Sequence, residues 1–382
     1  MLNTLTSAVL LGAAAVSAAP AAWGPMSNWG SGGDSHSSST VSSYSAGQTP
    51  FTFPLSNGFP TVSAAALHDI EEAAHGTLPN GALPTEINAT SAIVLELIAF
   101  NEAFEVAFFT SLIQNITSNV EGFQIDSQVL RSFVLETLIA VQAQEQLHFL
   151  GANGILASAG QTQIQPCEYV FPTACLDDAI NLARTFTDVV LGTLQDAQNT
   201  FATDGDSELV ALIGSVIGQE GEQNGYYRSL LDLIPSSNPF LTRSAGQFAF
   251  SALNQDFVVK GSCPSVDNVL FNAIPILGAL TVDTQNIQLK DQTLTFTVES
   301  NSTDFSQYSV VFVNQQNVPV VEKITNVKSS DGTITFDAEF PGADLIMDGL
   351  TIAAVTKTAG PFASVPEVAA DSLFGPGLIE VN

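Results

Sequence analysis

Four stretches of helical periodicity follow one another at about 91–116, 127–158, 177–202 and 207–233, and three of them carry carboxylates inside their apolar stripes. On the first the stripe reads Leu95, Ile98, Glu102, Glu105 and Phe109; on the second, Leu138, Val141, Glu145, His148 and Ala152; on the fourth, Leu209, Ile213, Val216, Glu220, Gln223 and Tyr227. Residues at these spacings share one helix face, so the carboxylates point where the leucines and isoleucines point. Across all four stretches the only Lys or Arg residues are Arg131, Arg184 and Arg228. Moving a carboxylate from water into a bundle core costs roughly several kcal/mol unless it is protonated, paired or coordinated. The chain must therefore fold so that these carboxylates meet protons, the few cations, or a metal.

Glu145-Gln-Leu-His148 is the place where a carboxylate and an imidazole stand one helical turn apart, at metal-ligand spacing. Read with Glu102 and Glu220 on matching stripes, it points to a buried metal site. The competing reading is a hydrogen-bonded polar layer, in which His148 bonds Glu102 or Glu220, one carboxylate is protonated and Gln223 completes the network. Phe100, Phe104, Phe108 and Phe109 are expected to pack in the core, and His68 and His75 to sit as structural residues near a helix end. No Gly-x-Ser-x-Gly elbow accompanies the four histidines, which argues against serine-hydrolase chemistry.

The formal charge is −29, from 9 Lys plus Arg against 38 Asp plus Glu, so phosphate polymers and anionic membranes would be repelled and no nucleic-acid partner is expected. Charged residues are only 12% and hydrophobic ones 45%, which suits a folded chain with a sizeable core rather than a solvated acidic tail.

Residues 1–19 read as a secretory signal: an apolar run from Ala8 to Val16 precedes the small-residue site Val16-Ser17-Ala18 and is too short to span a bilayer. Export would suit glycosylation acceptors at Asn88, Asn115 and Asn301, each followed by the required Thr two positions on. Cys167 and Cys175 are near enough in sequence for a short disulfide loop that leaves Cys263 unpaired, although three cysteines allow other pairings. The Gly, Ser and Pro content of residues 20–60 predicts a flexible spacer.

A short helix is expected at 63–75, and the helical region as a whole at 61–245. Asp126, Asp177 and Asp206 are placed to cap helices or to sit in their first turns. From about 262 to 382 the pattern changes to short β-branched runs, at 287–289, 294–298, 309–313, 333–337 and 350–355, with turn pairs Asp331-Gly332 and Asp348-Gly349 between them. This predicts an antiparallel β-sandwich. The fold class is thus mainly α with a β domain.

Ile70-Glu-Glu-Ala-Ala-His-Gly-Thr-Leu-Pro79, Asn101-Glu-Ala-Phe-Glu-Val-Ala-Phe-Phe109, Glu145-Gln-Leu-His148 and Gly375-Pro-Gly-Leu-Ile-Glu-Val-Asn382 together resemble the secreted ferritin-like proteins, among them fungal late-sexual-development and stress-response proteins and plant desiccation-related proteins. The resemblance implies a ferritin-like four-helix bundle, whose di-iron members use one Glu from each of two helices and a Glu-x-x-His from each of the others. Carried over, Glu102 matches the first-helix Glu with Glu105 beside it, and Glu145 with His148 the second-helix pair. The third helix departs, with Thr187 where a Glu is expected and Asp188 one position off, and the fourth pairs Glu220 with Gln223 instead of His.

The expected metal set is therefore Glu102, Glu145, His148, Glu220 and Gln223, supported from behind by Glu105 and Asp188. It suits one Fe, Mn or Zn ion and is poor for a two-iron centre, because an amide replaces an imidazole and a charged ligand is missing. Two roles are in view. One is a secreted, non-enzymatic protein of stress or sexual-development stages with a degenerate site, in contact with cell-wall or extracellular-matrix components. The other is a mononuclear metal-binding protein for redox or sequestration.

Overall fold

The computed structural model describes residues 49–302 and 304–382. The expected signal at 1–19 and the spacer as far as residue 48 lie outside the described residues. Helices α1 (Ala64–Ala74), α2 (Ala89–Thr117), α3 (Gln128–Ser158), α4 (Leu176–Asp204) and α5 (Glu208–Leu230) follow the periodic stretches closely. Asn88 caps α2 by accepting from Thr90 N, and Ser127 caps α3 by accepting from Leu130 N. Asp126 is thus not the cap of α3. Asp206 Oδ2 instead accepts from Asn88 N at 3.0 Å, tying the start of α2 to the turn between α4 and α5. Asp177 does lie in the first turn of α4.

The four long helices close on a phenylalanine-rich core. Phe104 and Phe108 each meet Phe186 edge to face at 5.2 and 5.0 Å between ring centroids, and Phe109 stacks near Tyr227. This core reaches beyond the predicted bounds at both ends. Phe59, fully buried, packs 4.9 Å from Phe149, and Phe51 exchanges backbone hydrogen bonds with Tyr169. Residues 49–60 are therefore not spacer: their phenylalanines supply the apolar area that orders the segment. After residue 245 come α6 (Gly246–Asp256), which sets Phe250 5.2 Å from Phe100, and the short α7 (Asn268–Ala273).

The last part of the chain forms two antiparallel sheets. One has the strand order β1 (Thr281–Val282), β2 (Asp291–Glu299), β6 (Thr333–Pro341), β5 (Thr325–Ser330); the other is β4 (Val320–Lys323), β3 (Ser309–Asn314), β7 (Gly349–Thr356), β8 (Ser372–Val381). A last helix, α8 (Val365–Asp371), joins β7 to β8. The predicted run at 287–289 is not a strand: Asn286 takes a left-handed backbone conformation that breaks it, and Ile287 packs onto the sandwich core from a loop. β2 alternates as predicted, with Leu294, Phe296 and Val298 inward. β3 and β7 do not alternate, because every residue in both is buried.

The second sheet is covered on both sides. Its inner face, with Val310, Phe312, Ala353 and Val355, packs on the first sheet. Its outer face, with Val311, Val313, Leu350 and Ile352, packs on Val189 of α4, Phe248 and Ala249 of α6, and Val368 of α8. At about 1.5–3 kcal/mol for each large apolar side chain removed from water, this face holds the sandwich firmly on the bundle. Gly192 on α4 is part of the junction, since a Cβ there would strike the Thr242 carbonyl as the chain crosses the helix.

Charge also bridges the junction. Arg184 of α4, 3% exposed at its side chain, donates to Glu380 of β8 at 2.9 Å, and Arg228 of α5 donates to Asn382 at 2.7 Å. Asp188 belongs to this group, not behind the Glu102 cluster: its Oδ1 accepts from Asn224, and burial beside Glu380, opposed by Arg184 and Arg228, pushes its carboxyl up to about 8.

The disulfide joins Cys167 to Cys263, 96 residues apart, not to Cys175. Residues 168–170 run antiparallel to 257–259, through Val170 N to Phe257 O and Val259 N to Glu168 O, which brings 167 beside 263. Cys175 is free and begins α4, where Leu176 N bonds Gly122 O. Proteolysis without reduction should release a cross-linked peptide containing Cys167 and Cys263, and Cys167→Ser with Cys263→Ser should lower stability by about 4–5 kcal/mol. Glu380→Ala, which strands Arg184 in the interior, should cost about 3–5 kcal/mol in urea denaturation.

Candidate metal centre

Three helices of the bundle bring the predicted residues together. Glu102 comes from the middle of α2, Glu145 and His148 from successive turns of α3, and Glu220 from α5, and one ligand atom from each lies within 4.8 Å of the others. Among the described residues this cluster can hold a metal ion. Glu102, Glu145 and Glu220 are at most 1% exposed, while His148 keeps 16% of its side chain open.

His148 Nδ1 stands 2.8 Å from Glu145 Oε2, 3.6 Å from Glu102 Oε2 and 4.0 Å from Glu220 Oε1. Only the first is a hydrogen-bond distance. Both carboxylate oxygens of Glu102 and both of Glu220 are buried without a hydrogen-bond partner. The polar layer forms in part, because His148 and Gln223 both bond Glu145, whereas neither Glu102 nor Glu220 is within hydrogen-bond distance of His148. Two carboxylates with unpartnered buried oxygens, each bringing one oxygen within 4.0 Å of the imidazole, are what a cation would satisfy.

The protein shifts these groups accordingly. Burial pushes the Glu102 carboxyl up to about 7, with His148 acting against the rise and Glu145 adding to it. Burial, then the neighbouring carboxylates, hold Glu105 and Glu220 well above the ordinary glutamate value. Burial works against protonation of His148, but Glu145 and Glu102 outweigh it and raise the imidazole well above its usual value. Without a metal the cluster therefore binds protons.

Gln223 is at the site, but its carbonyl is not offered to it. Its Nε2 donates to Glu145 Oε1 at 2.6 Å and to Gln144 Oε1 at 3.2 Å, while its Oε1 accepts from Tyr227 at 3.4 Å. Glu105 is buried and accepts from Asn101 Nδ2 at 2.7 Å. Thr187 is buried with its hydroxyl unpartnered, and Asp188 faces the Arg184 group instead. Sequence reasoning passed over Asn101, Gln144 and Gln219. Their signal was weak, since each is an ordinary amide beside a patterned residue.

Asn88 and Asn301 are exposed, and Asn115 is half-buried in the last turns of α2.

Residues 92–233 match the Ferritin-like domain family, a span that contains α3, α4, α5 and all but the first turn of α2, with every residue of the cluster. Residues 92–233 thus form a ferritin-like domain. No curated protein matches the chain. No helix among the described residues is long and apolar enough to cross a membrane.

Two positions beside the cluster depart from the di-iron pattern of four-helix bundles. The second half-site would need a charged ligand from α4, where Thr187 stands, and an imidazole from α5, where Gln223 is a hydrogen-bond donor. In the metal-free protein Glu102 binds its proton more tightly when folded, so its contribution to stability falls as pH rises from 4.5 to about 7. His148, raised above its usual value, loses its contribution as pH rises further. The melting temperature of metal-free protein should therefore drop between those values, and Glu102→Gln should flatten the profile.

Proposed function

We propose that this chain is a metal-holding ferritin-like protein that binds a single transition-metal ion through Glu102, Glu145, His148 and Glu220. The observation that carries the reading is the set of four buried, unpartnered oxygens on Glu102 and Glu220. Bound there, Fe, Mn or Zn would supply a Lewis acid and, for the first two, a redox-active centre. The residues divide the work. Glu102, Glu220 and His148 each give up the proton they hold in the metal-free protein, the carboxylates to supply negative charge and the imidazole a nitrogen donor. Glu145 keeps one oxygen on Gln223, which leaves the other for the ion.

Sequestration or structural holding suits this set better than oxygen activation, which in ferritin-like bundles relies on two ions. We place the protein outside the cell. The apolar segment at 1–19 and the Cys167–Cys263 disulfide support export, since disulfides persist in oxidising compartments. The resemblance to secreted stress-response, sexual-development and desiccation-related proteins supports a non-enzymatic role of that kind, in contact with wall or matrix material.

Protein purified without chelator and reconstituted should carry about one equivalent of Fe, Mn or Zn, and Glu145→Ala with His148→Ala should carry less than about a tenth. An unmodified protein that stays below a tenth after reconstitution would sink the proposal.

A further inference from the structure

Beside the cluster, a chain of amides runs from the end of α1 to Glu145. Gln144 Nε2 donates to the carbonyl of Ala74, the last residue of α1, at 3.3 Å. Gln144 Oε1 accepts from Gln219 Nε2 at 2.9 Å and from Gln223 Nε2 at 3.2 Å. Gln223 then donates to Glu145 Oε1 at 2.6 Å.

Which end of a side-chain amide faces which neighbour is decided by its partners. Here one partner admits no choice, because a backbone carbonyl can only accept. The Ala74 carbonyl is one of the last carbonyls of α1, which lack partners within the helix. It fixes Gln144 with its nitrogen toward α1 and its oxygen toward α5. That oxygen requires donors, so Gln219 and Gln223 must both present nitrogen. A reversed Gln223 would set its oxygen against the oxygens of both Gln144 and Glu145.

We infer that Gln144 is a positioning residue, which carries the acceptor polarity of the Ala74 carbonyl to Gln223 and so holds that amide as a donor to Glu145 instead of a metal ligand. The inference rests on the single-ion reading for its effect on metal binding, but not for the amide relay itself. It also couples the seating of α1, through Ile70 and Ala74 against Ala143, to the ligand carboxylate of Glu145 two residues further along α3. A donor fixed on Glu145 orients a ligand as outer hydrogen bonds commonly do in metal sites, where losing one lowers affinity about 10–100-fold.

The test is a double-mutant cycle with Gln144→Met and Gln223→Met, which remove the amides with little change of shape. Zn²⁺ affinity is read by chelator competition, alongside side-chain amide NMR of the metal-free protein labelled at glutamine. Gln144→Met should weaken Zn²⁺ binding about tenfold, Gln223→Met by at least as much, and the double variant no further than Gln223→Met alone. In the unmodified protein the Gln223 amide protons should exchange slowly, and Gln144→Met should abolish that protection. Unchanged affinity in Gln144→Met, or additive losses in the double variant, would overturn the inference. So would fast exchange of the Gln223 amide in the unmodified protein, which also decides the matter should Gln144→Met fail to fold. Absence of Zn²⁺ binding by the unmodified protein would instead remove the single-ion reading, and the amide measurement would still judge the relay.

Discussion

A carboxylate inside a helix bundle has few ways to be tolerated, and this protein places several of them there with almost no cations to meet them. Glu102, Glu145 and Glu220 surround one imidazole at the centre of the bundle, and Glu105 is buried within electrostatic reach of all three carboxylates. Their mutual repulsion and lost hydration would split the helices apart if all were ionised and unpaired. Protons or a metal ion hold that centre together, and the phenylalanine core around it supplies the apolar burial against which the polar cluster is set.

A second buried ionic group is solved differently. At the junction with the sandwich, Arg184 and Arg228 of the bundle face Glu380 on β8, the Asn382 amide oxygen, and Asp188 on α4, whose carboxyl at about 8 is held mostly protonated near neutral pH. Burial raises Glu380, with both arginines acting against the rise. This group needs no exogenous ion. The two arginines of α4 and α5 are thus spent on the final strand and are absent from the carboxylate centre. The same division joins bundle to sandwich, because the charges of α4 and α5 are complete only when β8 is in place.

Helix positions and the mixed α-then-β architecture were legible because periodicity is a local property: Leu95, Ile98, Glu102 and Glu105 report their face through spacing alone. The alternation of β2 was legible for the same reason. Both β3 and β7 were found as runs but not as strands covered on two sides, since nothing local in Val310 to Val313 announces that α4, α6 and α8 lie over them. The disulfide was read wrongly because nearness along the chain favoured Cys175, whereas antiparallel pairing of 168–170 with 257–259 brings Cys263 to Cys167.

The sequence by itself determined which residues the bundle turns inward and that Glu102, Glu145, His148 and Glu220 would lie on facing stripes, because a helix converts spacing into direction. It also determined that cations would be scarce there. Tertiary structure alone decided that Gln223 donates to Glu145, that Asp188 leaves the site for Arg184 and Glu380, and that Glu102 and Glu220 keep their oxygens free. Those outcomes depend on which neighbours stand a few ångströms away, and hydrogen-bond direction and electrostatic pairing are properties of that distance, not of position along the chain.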